Sequence, residues 1–112
     1  LIREIESAEL MDRMEQGADF HLLDIRSDAE VAQGVLPGAE HVPMHLLPAK
    51  IPEYPPDKDI VLYCRSGARS YHACAYFAQH GVHNVVNLRG GIIAWARHGY
   101  EVRDPRARET GT

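Results

Sequence analysis

Short apolar runs alternate along this chain with stretches in which apolar residues recur at helical spacing. That alternation predicts an α/β domain on a largely parallel sheet. Residues 2–5 predict a short first strand. Ser7 then offers an N-cap, and Leu10, Met11 and Met14 give one apolar face of a helix ending near Gly17. Residues 20–25 predict a second strand. Ser27 with Glu30 three positions later reads as a capping box for a short helix stopped by Gly34.

Leu36-Pro37-Gly38-Ala39 predicts a turn, His41-Val42 a short strand and residues 44–50 a short helix, after which Pro52, Pro55 and Pro56 break the pattern up to Asp57. Residues 59–63 are apolar on both faces, which predicts a central strand. The spacing predicts a helix over 70–80 with Ala73, Cys74, Phe77 and Ala78 inward and Gly81 closing it. Residues 85–88 predict another strand, Arg89-Gly90-Gly91 a turn, and residues 92–98 a helix carrying Trp95 and ended by Gly99. Glu101-Val102 offers an edge pairing, and residues 103–112, without periodicity, predict a flexible tail behind one domain over 1–102.

With 112 residues the chain holds one core and not two. A net charge of −4 argues against a nucleic-acid footprint, and no apolar stretch approaches the length of a membrane span. Two cysteines in a chain of this size point to a reducing compartment, read here as the cytoplasm, rather than to a disulfide scaffold. The seven histidines are scattered, and none has metal-ligand spacing with a cysteine.

The informative residue is Cys64. It ends the apolar run Ile60-Val61-Leu62-Tyr63 and is followed by Arg65-Ser66-Gly67-Ala68-Arg69-Ser70, so a thiol stands at a strand-to-helix turn. The backbone N–H groups of residues 65 to 69 lack intrahelical partners there and can point at whatever sits on the sulfur. Helix N-termini and nearby cations lower a cysteine pKa from about 8.5 to roughly 3.5–7.5, which makes Cys64 a candidate nucleophile beside Arg65 and Arg69. The competing reading is a buried core cysteine, but a polar, glycine-bearing loop is a poor ending for a buried strand. Ligands of open parallel sheets collect beyond the carboxyl ends of the strands, a rule that gathers Asp24 to Arg26, Cys64 to Arg69, and Arg89 to Gly91 on one rim.

The assembled pattern resembles the rhodanese domain, a sulfurtransferase fold that carries sulfane sulfur as a cysteine persulfide. Four marks carry the resemblance: Leu23-Asp24-Ile25-Arg26 with Glu30; residues 34–43; the loop from Cys64 to Ser70; and Asn87-Leu88-Arg89-Gly90-Gly91 with Trp95, Gly99 and Val102. It implies the rhodanese-like fold, a central, mostly parallel five-stranded sheet flanked by helices on both faces. It also implies that Cys64 bears the persulfide, that Arg65, Ser66, Gly67, Ala68 and Arg69 form its cradle, and that Asp24 and Arg26 brace the rim as an ion pair or touch substrate. Trp95 is read as core packing. Val35 stands where many relatives have histidine, and Cys74 fills a position usually small and apolar; it is read as packing rather than as a second redox thiol.

The chemistry implied is a two-step transfer needing no cofactor and no metal. A donor such as thiosulfate or a persulfide loads Cys64, and cyanide, a thiol or a sulfur-carrier protein unloads it. Two rivals stand beside it. A non-catalytic rhodanese-like binding or regulatory module commonly lacks the cysteine, which is present here. A phosphatase or arsenate reductase resembles Cys-x5-Arg, whereas four residues separate Cys64 from Arg69, a smaller cradle. No nucleic acid and no membrane contact are expected from this segment.

Overall fold

Every side chain of two strands, Ile60–Tyr63 and Val85–Leu88, is buried, so both must lie inside the sheet with layers on either side. The computed structural model, which describes residues 2–106, places them there. The strands are β1 (Arg3–Ile5), β2 (His21–Asp24), β3 (Glu40–His41), β4 (Ile60–Tyr63) and β5 (Val85–Leu88), all parallel in the order β1-β5-β4-β2-β3. The helices are α1 (Ser7–Glu15), α2 (Asp28–Val31), α3 (Leu47–Lys50), α4 (Ala68–Gln79) and α5 (Gly91–Arg97).

The sheet divides the core in two. Leu23, Ile25, Leu62 and Cys64 pack with Leu47 of α3 and with Ala73, Cys74 and Phe77 of α4 on one face. Leu22, Val61, Tyr63 and Leu88 pack with Leu10 of α1 and Trp95 of α5 on the other. Trp95 is fully enclosed, and its indole N–H donates to the Glu101 carbonyl at 2.7 Å.

Several local expectations shift. Glu6, not Ser7, is the N-cap of α1: it has the extended backbone of a cap, while Ser7 already lies in the helix with its hydroxyl buried and unpartnered. The helix expected over 44–50 divides into a 3₁₀ turn, Met44–Leu46, and α3, because Pro48 has no N–H and is tolerated only in a first turn. A second 3₁₀ turn, Ile51–Glu53, follows. The capping box is present: the Glu30 N–H donates to Ser27 Oγ at 3.3 Å and the Ser27 N–H to Glu30 Oε1 at 3.1 Å. The pairing expected at Glu101-Val102 occurs one residue later and off the sheet, where Arg103 and Val35 exchange backbone hydrogen bonds of 2.7 and 2.8 Å. Of the expected tail, residues 107–112 lie outside the described residues. No helix among the described residues is long and apolar enough to cross a membrane.

Candidate active site

The chain leaves β4 at Tyr63 and enters α4 at Ala68, so Cys64 to Gly67 form a four-residue bend at the carboxyl edge of the sheet. Gly67 closes the bend with φ 98°, a left-handed conformation natural to glycine, and a Cβ there would lie 3.0 Å from the Gly90 nitrogen. The first turn of α5 holds the bend from outside. The Ile92 N–H donates to the Cys64 carbonyl at 3.0 Å and the Ile93 N–H to the Arg65 carbonyl at 3.1 Å. With its carbonyls held outward, the bend turns amides inward. Gly91 makes this approach possible, because a Cβ there would stand 2.5 Å from the carbonyl oxygens of both Cys64 and Arg65. The expected rim segment Arg89 to Gly91 is therefore in place, and its glycines act as a brace.

Cys64 is 1% exposed, with its sulfur inside the bend. The Gly67 N–H donates to Sγ at 3.2 Å and the Ser70 hydroxyl at 3.4 Å. Burial works against the charged thiolate, but the Ser70 hydroxyl and the amides of Ser70, Gly67 and Arg69 outweigh it and hold the thiol below its ordinary value. Of the expected cradle residues, Gly67 and Arg69 act on the sulfur, both through backbone N–H groups. The Ser70 hydroxyl and these amides are the leading cause of its acidity, and the Arg69 charge and the thiolate favour one another as well. Arg69 sends both guanidinium arms to the Glu30 carboxylate, at 2.9 and 2.7 Å, and Arg65 projects outward, exposed.

Asp24 and Arg26 form a buried unit rather than a surface-rim pair. Arg26 Nε and Nη2 donate to the two Asp24 carboxylate oxygens at 2.9 and 2.7 Å, and Nη2 also donates to the Gly34 carbonyl at 2.6 Å. The Tyr63 hydroxyl donates to Asp24 Oδ2 at 2.6 Å and accepts the Leu36 N–H at 3.1 Å. Burial opposes the Arg26 charge and the hydrogen bonds to Asp24 overcome it, so its pKa stays raised. Burial, with the nearby Asp24 carboxylate, pushes the Tyr63 phenol up, so it remains a donor at neutral pH. Asp24 and Arg26 thus lock residues 34–36 to β2 and β4. Cys74 is also fully buried, on α4, and with no compensating donor its thiol is pushed up to about 12.

Three participants stand in the quoted motifs without the site role that the structure gives them. Ser70 stands in the quoted loop but reads there only as a helix residue. Glu30 reads as a cap, and its second duty to Arg69 crosses from α2 to α4. Asn87 is buried in β5 and donates to the Gly67 carbonyl at 3.4 Å and to Glu4 at 2.9 Å. A polar residue in an otherwise apolar central strand was the available signal. Among the described residues no cluster of three metal-ligating side chains forms.

The five-stranded parallel sheet with its helices agrees with the comparisons to known proteins. Over 105 residues the chain is 54% identical to a protein of Allochromatium vinosum called a sulfurtransferase, covering 94% of this chain and 98% of that one. Its structure matches a rhodanese-related protein of Thermoplasma volcanium with a TM-score of 0.78 and 30% identity, over 90% of this chain and 97% of that one. A rhodanese-like domain protein of Staphylococcus aureus matches with a TM-score of 0.78 and 27% identity, over 91% and 99% of the two chains. The profile described as Rhodanese-like domain matches residues 6–98, and the chain belongs to that family.

Proposed function

We propose that the protein is a sulfurtransferase that moves sulfane sulfur from a donor, thiosulfate or a persulfide, to a thiophilic acceptor through a Cys64 persulfide. The observation that carries the reading is the buried Cys64 sulfur, receiving N–H and O–H donors and lying below its ordinary pKa. Such a sulfur is nucleophilic without a general base, and the same donors suit the anionic outer sulfur of a persulfide. In the first step the thiolate takes the outer sulfur of the donor, the donor's S–S bond breaks, and its electron pair leaves with sulfite or a thiolate. In the second, cyanide, a thiol or a carrier protein's thiolate takes that sulfur and returns Cys64 to a thiolate.

The oxyanion-hydrolase alternative is disfavoured. The loop has four residues between Cys64 and Arg69, and the Arg69 guanidinium is already engaged by Glu30 rather than free to close over a tetrahedral anion. Intact mass after incubation with thiosulfate or cysteine persulfide tests the proposal. A gain of one sulfur, removed by cyanide and absent from the Cys64→Ser variant, is the expected result. Efficient hydrolysis of an aryl phosphate with no sulfur retained from any donor would overturn it.

A further inference from the structure

The mouth of the Cys64 loop is less cationic than its arginines suggest. Arg26 is 5% exposed and paired with Asp24. Arg69 meets both carboxylate oxygens of Glu30, and Glu30 is anchored from behind, where the Ser27 N–H and hydroxyl each donate to Oε1 at 3.1 Å. A carboxylate fixed on one side by a helix cap and on the other by a two-pronged arginine does not yield Arg69 to a passing anion. Arg65 is left as the cation at this bend without an ion pair among the described residues. The flanks are apolar. On one side Ile92, Ile93, Ala96 and Val102 line a cavity of about 240 Å³ that reaches Arg65 and Glu30; on the other, Ile25, Pro43 and Met44 border one of about 600 Å³ that reaches Arg69.

We infer that Glu30 sets the donor class of this site: by occupying Arg69 it turns the mouth away from dianions such as thiosulfate and towards organic persulfides. The inference rests on the sulfurtransferase reading above. A thiolate attacking thiosulfate must approach a charge of like sign and needs cations to offset the repulsion. An organic persulfide carries at most one negative charge, on its outer sulfur, and its protonated form R–S–S–H, the one attacked, carries none. The Cys64 thiolate takes its outer sulfur, the S–S bond breaks, the electron pair leaves with R–S⁻, and the proton stays on the new Cys64 persulfide. The apolar flanks fit the organic body R, for which thiosulfate has no counterpart.

Glu30→Gln is the informative variant, because glutamine retains the capping-box hydrogen bonds while removing the charge. The readout is the rate at which the full chain gains one sulfur at Cys64, by intact mass, from thiosulfate and from cysteine persulfide. The wild type is expected to load faster from cysteine persulfide, and Glu30→Gln should raise the thiosulfate-to-persulfide rate ratio about tenfold at low salt and less at high salt. A folded Glu30→Gln protein with an unmoved ratio would overturn the role of Glu30. Wild-type loading across ionic strength supplies a check independent of the variant. A weak salt dependence with thiosulfate supports a neutralised mouth, and a steep loss with salt contradicts it. No loading from either donor would instead sink the sulfurtransferase reading itself.

Discussion

Cys64 and Cys74 are equally removed from water, at 1% and 0% exposure, yet their thiols are pushed in opposite directions. Burial disfavours the thiolate at both sites. At Cys74 nothing answers it, the field of Glu4 adds to it, and the thiol is pushed up to about 12. At Cys64 the bend between β4 and α4 supplies amides and the Ser70 hydroxyl, which more than answer it. The difference lies between a residue inside a helix, where every nearby N–H is already committed, and one just before a helix, where several are free. The acidity of Cys64 belongs to the donors that the bend and Ser70 aim at the sulfur rather than to exposure, with the Arg69 charge adding to them.

The strongest break of this comparison is to exchange the roles of the two thiols. Cys64→Ser is expected to abolish sulfur loading and cyanide-dependent turnover, since an alcohol cannot carry a persulfide. Cys74→Ala should keep most of both and lose about 1–2 kcal/mol of stability from the small cavity. Equal loss of transfer in a folded Cys74→Ala protein would show that the helix thiol takes part after all. The second effect in size is thermodynamic. Asp24→Ala leaves the Arg26 charge buried and unpaired, for an expected loss of about 3–5 kcal/mol in denaturant unfolding. A loss under about 1 kcal/mol would mean that Arg26 finds other partners and that the pair does not fix the 34–36 segment.

The two thiols also show how far the sequence could be read. The strand–helix alternation, the burial of residues 60–63 and the place of Cys64 at a turn are local properties, and each appears in the pattern of apolar, glycine and proline residues. Pro48 was legible as well, since a proline within residues 44–50 already argues against one continuous helix there. The partners of the arginines were not. Arg69 and Glu30 are far apart in the chain, and nothing local says that α2 and α4 bring them to 2.7 Å. The burial of Asp24 and Arg26 was hidden for the same reason: their cover comes from Tyr63 and from residues 34–36. Two positive residues beside a cysteine therefore suggested a cationic site, whereas the fold spends one of them on an ion pair.

The smallest expected effect sharpens the comparison most, because it removes one donor and leaves the rest. The Ser70 hydroxyl lies 3.4 Å from Cys64 Sγ and 3.3 Å from the Gly67 carbonyl, and its single proton serves one of them at a time. The Tyr71 N–H and the Asn87 amide already donate to that carbonyl, at 3.0 and 3.4 Å, which leaves the hydroxyl free for the sulfur. Ser70→Ala should then raise the Cys64 pKa by about half a unit to one unit, short of the Cys74 regime because the Gly67 N–H remains. Alkylation rate against pH, in a Cys74→Ala background, reads this directly. The wild-type midpoint is expected below about 8.5 and the variant's between the two. The linked stability has a definite sign: a folded thiol more acidic than the unfolded one adds stability above the unfolded pKa, lost as pH falls through the folded value. The extra stability of wild type over Ser70→Ala should accordingly grow from neutral to alkaline pH. An alkylation midpoint unmoved by Ser70→Ala would assign the hydroxyl to the Gly67 carbonyl and leave the acidity of Cys64 to the backbone amides.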